Sequence, residues 1–258
     1  MNIFKSIALT SCLFVATLTT SSLQAQTAWS RDVFLEVMLT EHPNTTLYGV
    51  SPDDPDALFN IIFQAVLDGT VPCYKYDING TDRTDSVTLT SPATLLADFH
   101  IPFRTVNGST VVARDDMPTA QVTMLYLRER IAYHVATSSF SRQVVALCPV
   151  ITEQQYDDQQ PQRFPLCWIN YKDVKPLLAK TLVSDDMNNS CMLSLEEWFS
   201  LQFYEGNIYK IQSRTGGAVK QYVHTQKEYL AEQQRINAAL ATLHRQTYAA
   251  PSTQQITK

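Results

Sequence analysis

Two neighbouring stretches decide the fold: VTMLYLRERIAYHVA (residues 122–136) and FSRQVVALCPV (140–150), separated by Thr137-Ser138-Ser139. Both are rich in Val, Ile, Leu, Tyr and Phe, the residues that fit a pleated, half-buried surface, and a short polar break parts them. That pattern predicts a β-hairpin or meander. Downstream, polar Gln154–Arg163 reads as a loop and Phe164–Tyr171, around Trp168, as a further strand. Upstream, Ser30 is positioned to cap a helix carrying Val33, Phe34, Val37 and Met38 and ending at His42-Pro43. A second helix is expected from Asp54 as cap and Pro55 as first helical residue, through Leu58, Phe59, Ile61, Ile62, Ala65 and Val66 to Asp68-Gly69. Ser91-Pro92 opens a third helix running to about Phe99. Helices are also expected over Val174–Lys180 and over Ser194–Tyr204, the latter with the capping box Ser194/Glu197. Beyond the turn at Gly216-Gly217, Val219–Thr247 reads as one long polar helix with a thin apolar stripe, and a tail follows from residue 249.

The expected fold class is therefore α+β: amphipathic helices packed on an antiparallel sheet, with a C-terminal helical arm. The expected division is a leader over 1–25, an α+β domain over 26–215, the arm over 216–248 and the tail over 249–258. The leader has Lys5, the mostly apolar stretch Ile7–Leu18 and small residues before Ala25, the layout of a secretory signal peptide. Leu9-Thr10-Ser11-Cys12 resembles a lipidation box. The apolar run before Cys12 is short and continues past it, so cleavage after Ala25 without lipid is expected.

Composition narrows function. The chain has 258 residues, 45% of them hydrophobic and 10% aromatic, with a formal net charge of −5. That hydrophobic content excludes general disorder. The acidic balance argues against nucleic acid as a partner, since phosphate binding needs a basic footprint. The seven glycines form neither G-x-G-x-x-G nor G-x-x-x-x-G-K-[ST]. No H-E-x-x-H or G-x-S-x-G motif occurs, so no catalytic residue, metal ligand or cofactor site is assigned. The nearest thing to a calcium loop, Asp77–Asp82, has its glycine fourth rather than sixth, and Asn79-Gly80 is more simply a tight turn.

Four cysteines follow the leader: Cys73, Cys148, Cys167 and Cys191. They permit two disulfides in any of three connectivities, or they are buried free thiols. A bond between Cys148 and Cys167 is expected if the two strands they bound fold back on one another. Charge is uneven: residues 32–116 carry 13 acidic and 4 basic side chains (4 − 13 = −9), and 206–258 carry 7 basic and 2 acidic (7 − 2 = +5). These are either two solvated faces or complementary patches between subunits, with Lys220, Lys227 and Arg235 as contact residues.

Several segments resemble one family. The run Phe164-Pro165-Leu166-Cys167-Trp168-Ile169-Asn170-Tyr171, followed by Val174–Ala179, is similar to the "PLFWI-Y-x-x-R-x-x-LA" segment of the GldN/PorN family. In order along the chain, FNIIFQAVLDG (59–69) resembles its early helix and Tyr74–Asp77 its "YxxD" strand. VVALCPV (144–150) resembles "RIIGIAPV", and Glu196–Lys210 resembles "FDDLFxxRxFSSYIYK". The four cysteines, Gln143 in place of a basic residue, and the missing acidic ending mark a divergent member. The resemblance implies a non-catalytic periplasmic component of gliding motility and type IX secretion. Such a component forms rings with a GldK/PorK-like outer-membrane lipoprotein and works with GldL/GldM-like motor proteins at the inner face of the outer membrane. The rival expectation is a periplasmic glycan- or peptide-binding module using Trp168, Tyr171, Trp198 and Tyr204 as stacking platforms. A hydrolase with a dispersed site is a third.

Overall fold

The structure, a computed structural model, describes residues 27–77, 84–134, 137, 139–153, 161–185 and 188–211, with a few positions between 225 and 238. The leader, the Asn79-Gly80 turn, Lys220, the tail and most of the arm expected over 216–248 lie outside the described residues. Lys227 and Arg235 are described, as exposed helical residues.

The predicted hairpin is the spine of the molecule. β6 (Val122–His134) and β7 (Ser139–Glu153) pair antiparallel from Val122/Ile151 to His134/Ser139. They sit within an eight-stranded sheet. Its other strands are β1 (Thr27–Met38), β2 (Cys73–Lys75), β3 (Leu89–Thr90), β8 (Gln162–Pro165), β9 (Cys167–Asn170) and β12 (Asn207–Ile211). The order across the sheet is β12-β1-β6-β7-β9-β2-β3, with β8 also on β7, and every pairing is antiparallel. Two hairpins stand apart: β4 (Phe103–Val106) with β5 (Ser109–Val112), and β10 (Leu182–Asp185) with β11 (Asn188–Ser194). The helices are α1 (Leu58–Leu67), α2 (Pro92–Asp98), α3 (Tyr171–Leu178) and α4 (Leu195–Ser200).

The segment after Ser30 is a strand, not the helix expected there. Val33, Phe34, Val37 and Met38 fit helical spacing, but Val33, Leu35 and Val37 also alternate, and the alternation decides. Those three face the larger core while Phe34 faces the opposite side of the sheet. The long antiparallel pairing with β6 overrides a weak local preference.

α1 starts later than its Asp-Pro signal. Asp54 accepts the Asp56 N–H at 3.0 Å, so its side chain is used in the turn before the helix. The stop is as expected: Gly69, at φ +71°, follows Asp68, and the N–H groups of Gly69 and Thr70 return to the carbonyls of Val66 and Ala65, both at 3.0 Å. This reciprocal pair is a Schellman motif. α2 is capped by Ser91, which accepts from Thr94 N at 3.1 Å. The α4 capping box is complete, with Glu197 N donating to Ser194 Oγ and Ser194 N donating to Glu197 Oε2.

Strand alternation sorts the sheet into two apolar faces. One carries Val33, Leu35, Val37, Leu125, Leu127, Leu147, Cys167 and Ile169, in one core with α1, α3 and α4. The other carries Phe34, Met124, Tyr126, Ala146, Cys148, Val150 and Trp168, with Tyr74, Tyr76 and Tyr209 packed around them.

Candidate functional site

The four aromatics expected as contact platforms are inside the protein. Trp168 is 0% exposed and lies edge-on to Phe34, with centroids 6.0 Å apart, and against Tyr76. Tyr171 packs on Phe199 and donates to the Glu196 carbonyl at 3.3 Å. Trp198 is buried against Phe203. Tyr204 packs on Phe199 and donates its hydroxyl to Glu129. Trp168 fills the face it shares with Phe34 and Tyr76, and the other three pack between the sheet and the helices, so all four are buried. Burial of large aromatic rings dominates core energetics, and that is their use here.

Cys148 and Cys167 are both free thiols, contrary to the expected disulfide. β7 and β9 do pair, with Leu147 opposite Ile169, but Cys148 and Cys167 point to opposite faces of the sheet. A Cβ vector aimed through the wrong face cannot be bridged without moving backbone.

The sheet centre holds charge that the sequence analysis did not single out. Arg128, Glu129 and Arg130 are consecutive in β6, so the two arginines face one side and Glu129 the other. Asp32, opposite Arg130 on β1, is 3% exposed and takes Arg130 Nε at 2.8 Å on Oδ1 and Arg128 Nε at 2.7 Å on Oδ2. Burial alone would raise the Asp32 carboxyl, but its bonds to Arg130 and Arg128 outweigh this and hold it below the usual carboxylate range. On the other face, Glu129 is 0% exposed and accepts a two-pronged contact from Arg142 of β7 together with the Tyr204 hydroxyl. Burial pulls Arg142 down and the Glu129 charge more than restores it. Tyr204 is pushed up by burial and by the neighbouring carboxylate. The signal available beforehand was Arg-Glu-Arg in the middle of an otherwise apolar strand, because buried charges must be paired.

Outside this centre the surface offers three features. A cleft of about 730 Å³ runs along β7 at Arg142–Val145 and is walled by Asn170, Tyr171 and Lys175. Lys175 pairs with Glu196 at 2.9 Å. A shallower depression, about 610 Å³, is lined by Asp53, Asp54 and Asp68 beside α1, with Arg114 paired to Asp53. Asp56 and Asp115 are exposed on neighbouring segments in sequence. The third feature is apolar: Leu182 and Met192, on one face of the β10–β11 hairpin, are 52% and 60% exposed, and Leu201 and Phe203 just past α4 are exposed too. Among the described residues no group of three or more His, Cys, Asp or Glu side chains is placed to hold a metal ion. Nor is any described helix long and apolar enough to cross a membrane.

No curated protein matches the chain. The family model for gliding motility associated protein GldN does, over residues 23–249, which takes in the sheet, α1–α4 and both hairpins. The chain therefore belongs to the GldN family, the family of gliding-motility-associated proteins to which its ordered motifs bear a resemblance.

Proposed function

We propose that this protein is an exported, non-catalytic structural component of the gliding and type IX secretion machinery. It works in the periplasm at the inner face of the outer membrane, in a ring built with a GldK/PorK-like lipoprotein, and in contact with the periplasmic parts of GldL/GldM-like motor proteins. The family match over 23–249 carries the reading. Two surface features support it. Exposed apolar side chains gathered in one stretch, 182–203, are the kind of surface that partners cover. The carboxylates around α1 face solvent, while the basic C-terminal segment, with exposed Lys227 and Arg235, has the opposite sign. Opposite patches on two copies, or on a copy and a partner, steer head-to-tail association.

The binding-module reading loses its four platforms to the core. A pull-down of the tagged mature chain from a detergent-solubilised envelope extract, read by mass spectrometry, tests the assembly reading. Co-purification of an outer-membrane lipoprotein in fixed ratio is expected. Recovery of the chain alone, together with retention on a glycan matrix, would overturn the proposal in favour of the module.

A further inference from the structure

Two cysteines far apart in sequence are neighbours in the core. β2 and β9 pair with Cys73 opposite Ile169 and Lys75 opposite Cys167, which makes Cys73 and Cys167 diagonal neighbours across one ladder. Strand alternation turns both toward the helical face, whereas Cys148 turns to the other. They are 2% and 3% exposed. The Cys73 thiol donates to the Thr90 carbonyl at 3.5 Å. Interaction with the Cys167 thiol pulls Cys73 down, and the same interaction together with burial pushes Cys167 well up. β2 is held to β9 by three residue pairs and carries only the two-residue β3 outside it, so this edge of the sheet is lightly attached.

We propose that Cys73 and Cys167 are joined as a disulfide in the mature protein, fastening β2 to β9, with a disulfide-bearing thiol oxidoreductase as oxidant. The proposal rests on the export reading, since such bonds form and persist in oxidising compartments. The Cys73 thiolate attacks one sulfur of the oxidant's disulfide, forming a mixed disulfide and releasing the other sulfur as thiolate. The Cys167 thiolate then attacks the Cys73 sulfur and expels the second oxidant sulfur. Two protein thiols are oxidised, two electrons pass to the oxidant, and the two thiol protons end on its reduced dithiol. Both sulfurs are sealed in the finished core, so exchange takes place before the β2–β9 contact closes. Afterwards the bond is hidden from external thiols. Cys148 stays a free thiol.

The test uses the full chain with its own leader, recovered from the envelope fraction and treated with N-ethylmaleimide in denaturant. Unreduced peptides are then mapped by mass spectrometry. The expected result is a Cys73–Cys167 cross-linked pair with Cys148 alkylated. In the Cys73→Ala variant Cys167 is expected to become alkylated. Alkylation of both Cys73 and Cys167 in exported wild-type chain would overturn the proposal, as would Cys167 bonded to Cys148 or Cys191. Fractionation reports export separately. If the chain stays inside the cell, leaderless protein refolded in a glutathione redox buffer decides: the same cross-link upholds the pairing while the export reading falls, and its absence ends both. Melting gives a second readout. Chain reduced in denaturant and refolded with reductant should melt ~10 °C below the oxidised chain, and the same treatment should leave a Cys73→Ala/Cys167→Ala variant unmoved.

Discussion

β6 carries two buried carboxylate clusters back to back, and they solve the same problem differently. Asp32 is shared by two arginines whose side chains are 14% and 48% exposed, so two cations serve one carboxylate. Glu129, with 0% exposure, balances one arginine and completes its shell with a neutral hydroxyl from Tyr204. On the first face a second cation remains when one is lost. On the second a single arginine, itself 35% exposed beside the β7 cleft, serves a carboxylate with no exposure. Burying an ion is expensive, and a close, well-hydrogen-bonded partner is what offsets the cost. The two faces should therefore respond unequally to the loss of a partner.

The largest effect is expected from Arg142→Met, which strands the Glu129 carboxylate in the core. Denaturant unfolding should show a loss of about 3–5 kcal/mol. Equal stability in this variant would mean that Glu129 has another partner, and the contrast between the faces would fail. Asp32→Asn comes next, at about 2–3 kcal/mol, because Arg130 can turn outward when its partner goes. Its pH behaviour sharpens the point. The Asp32 carboxyl lies lower in the folded chain than in the unfolded one, so its contribution is full above the unfolded value and is lost as pH falls through the folded one. The variant should accordingly lose stability less steeply than wild type below pH ~4. Tyr204→Phe removes a single bond to a charged acceptor and should cost about 1.5–3 kcal/mol by thermal melting, most of it absent if Arg142 has already been replaced. The smallest effect on folding is expected from Lys220→Glu/Lys227→Glu/Arg235→Glu, within about 0.5 kcal/mol, since Lys227 and Arg235 are exposed. Its signature lies in association instead. Wild-type assembly, followed by light scattering, should weaken between ~0.1 and 1 M salt as screening shortens from ~10 to ~3 Å, and the reversed variant should assemble slowly at either.

Most of the sheet was legible because its central strands are long and apolar, and the caps at Ser91 and Ser194 were legible because capping is local chemistry. β1 was not: Val33, Phe34, Leu35, Val37 and Met38 satisfy two periods at once, and only the distant partner β6 selects between them. The β4–β5 hairpin was missed although Asn107-Gly108, both at positive φ, is a strong tight-turn signal between FRTV and STVV. The burial of the four aromatic contact candidates was not legible for a simpler reason. Trp168, Tyr171, Trp198 and Tyr204 lie in or beside segments that form the core, and a residue list carries no information on which ring faces inward. The Cys73 and Cys167 neighbourhood could not be read at all, since it depends on β2 and β9 meeting across the sheet.

The position of β1 has a consequence for the order in which the molecule can be completed. The first described strand is held between the strand at 122–134 and the last described one, at 207–211. A nascent chain therefore carries β1 without either neighbour until more than half of it has been synthesised, and without the second until residue 211 is available. Contacts of such long sequence separation slow folding, because the intervening loop must close before they reward it. The sheet is therefore completed from the middle outward: the β6–β7 hairpin can pair once residue 153 is made, and β1 is enclosed on both sides only when the strand at 207–211 arrives.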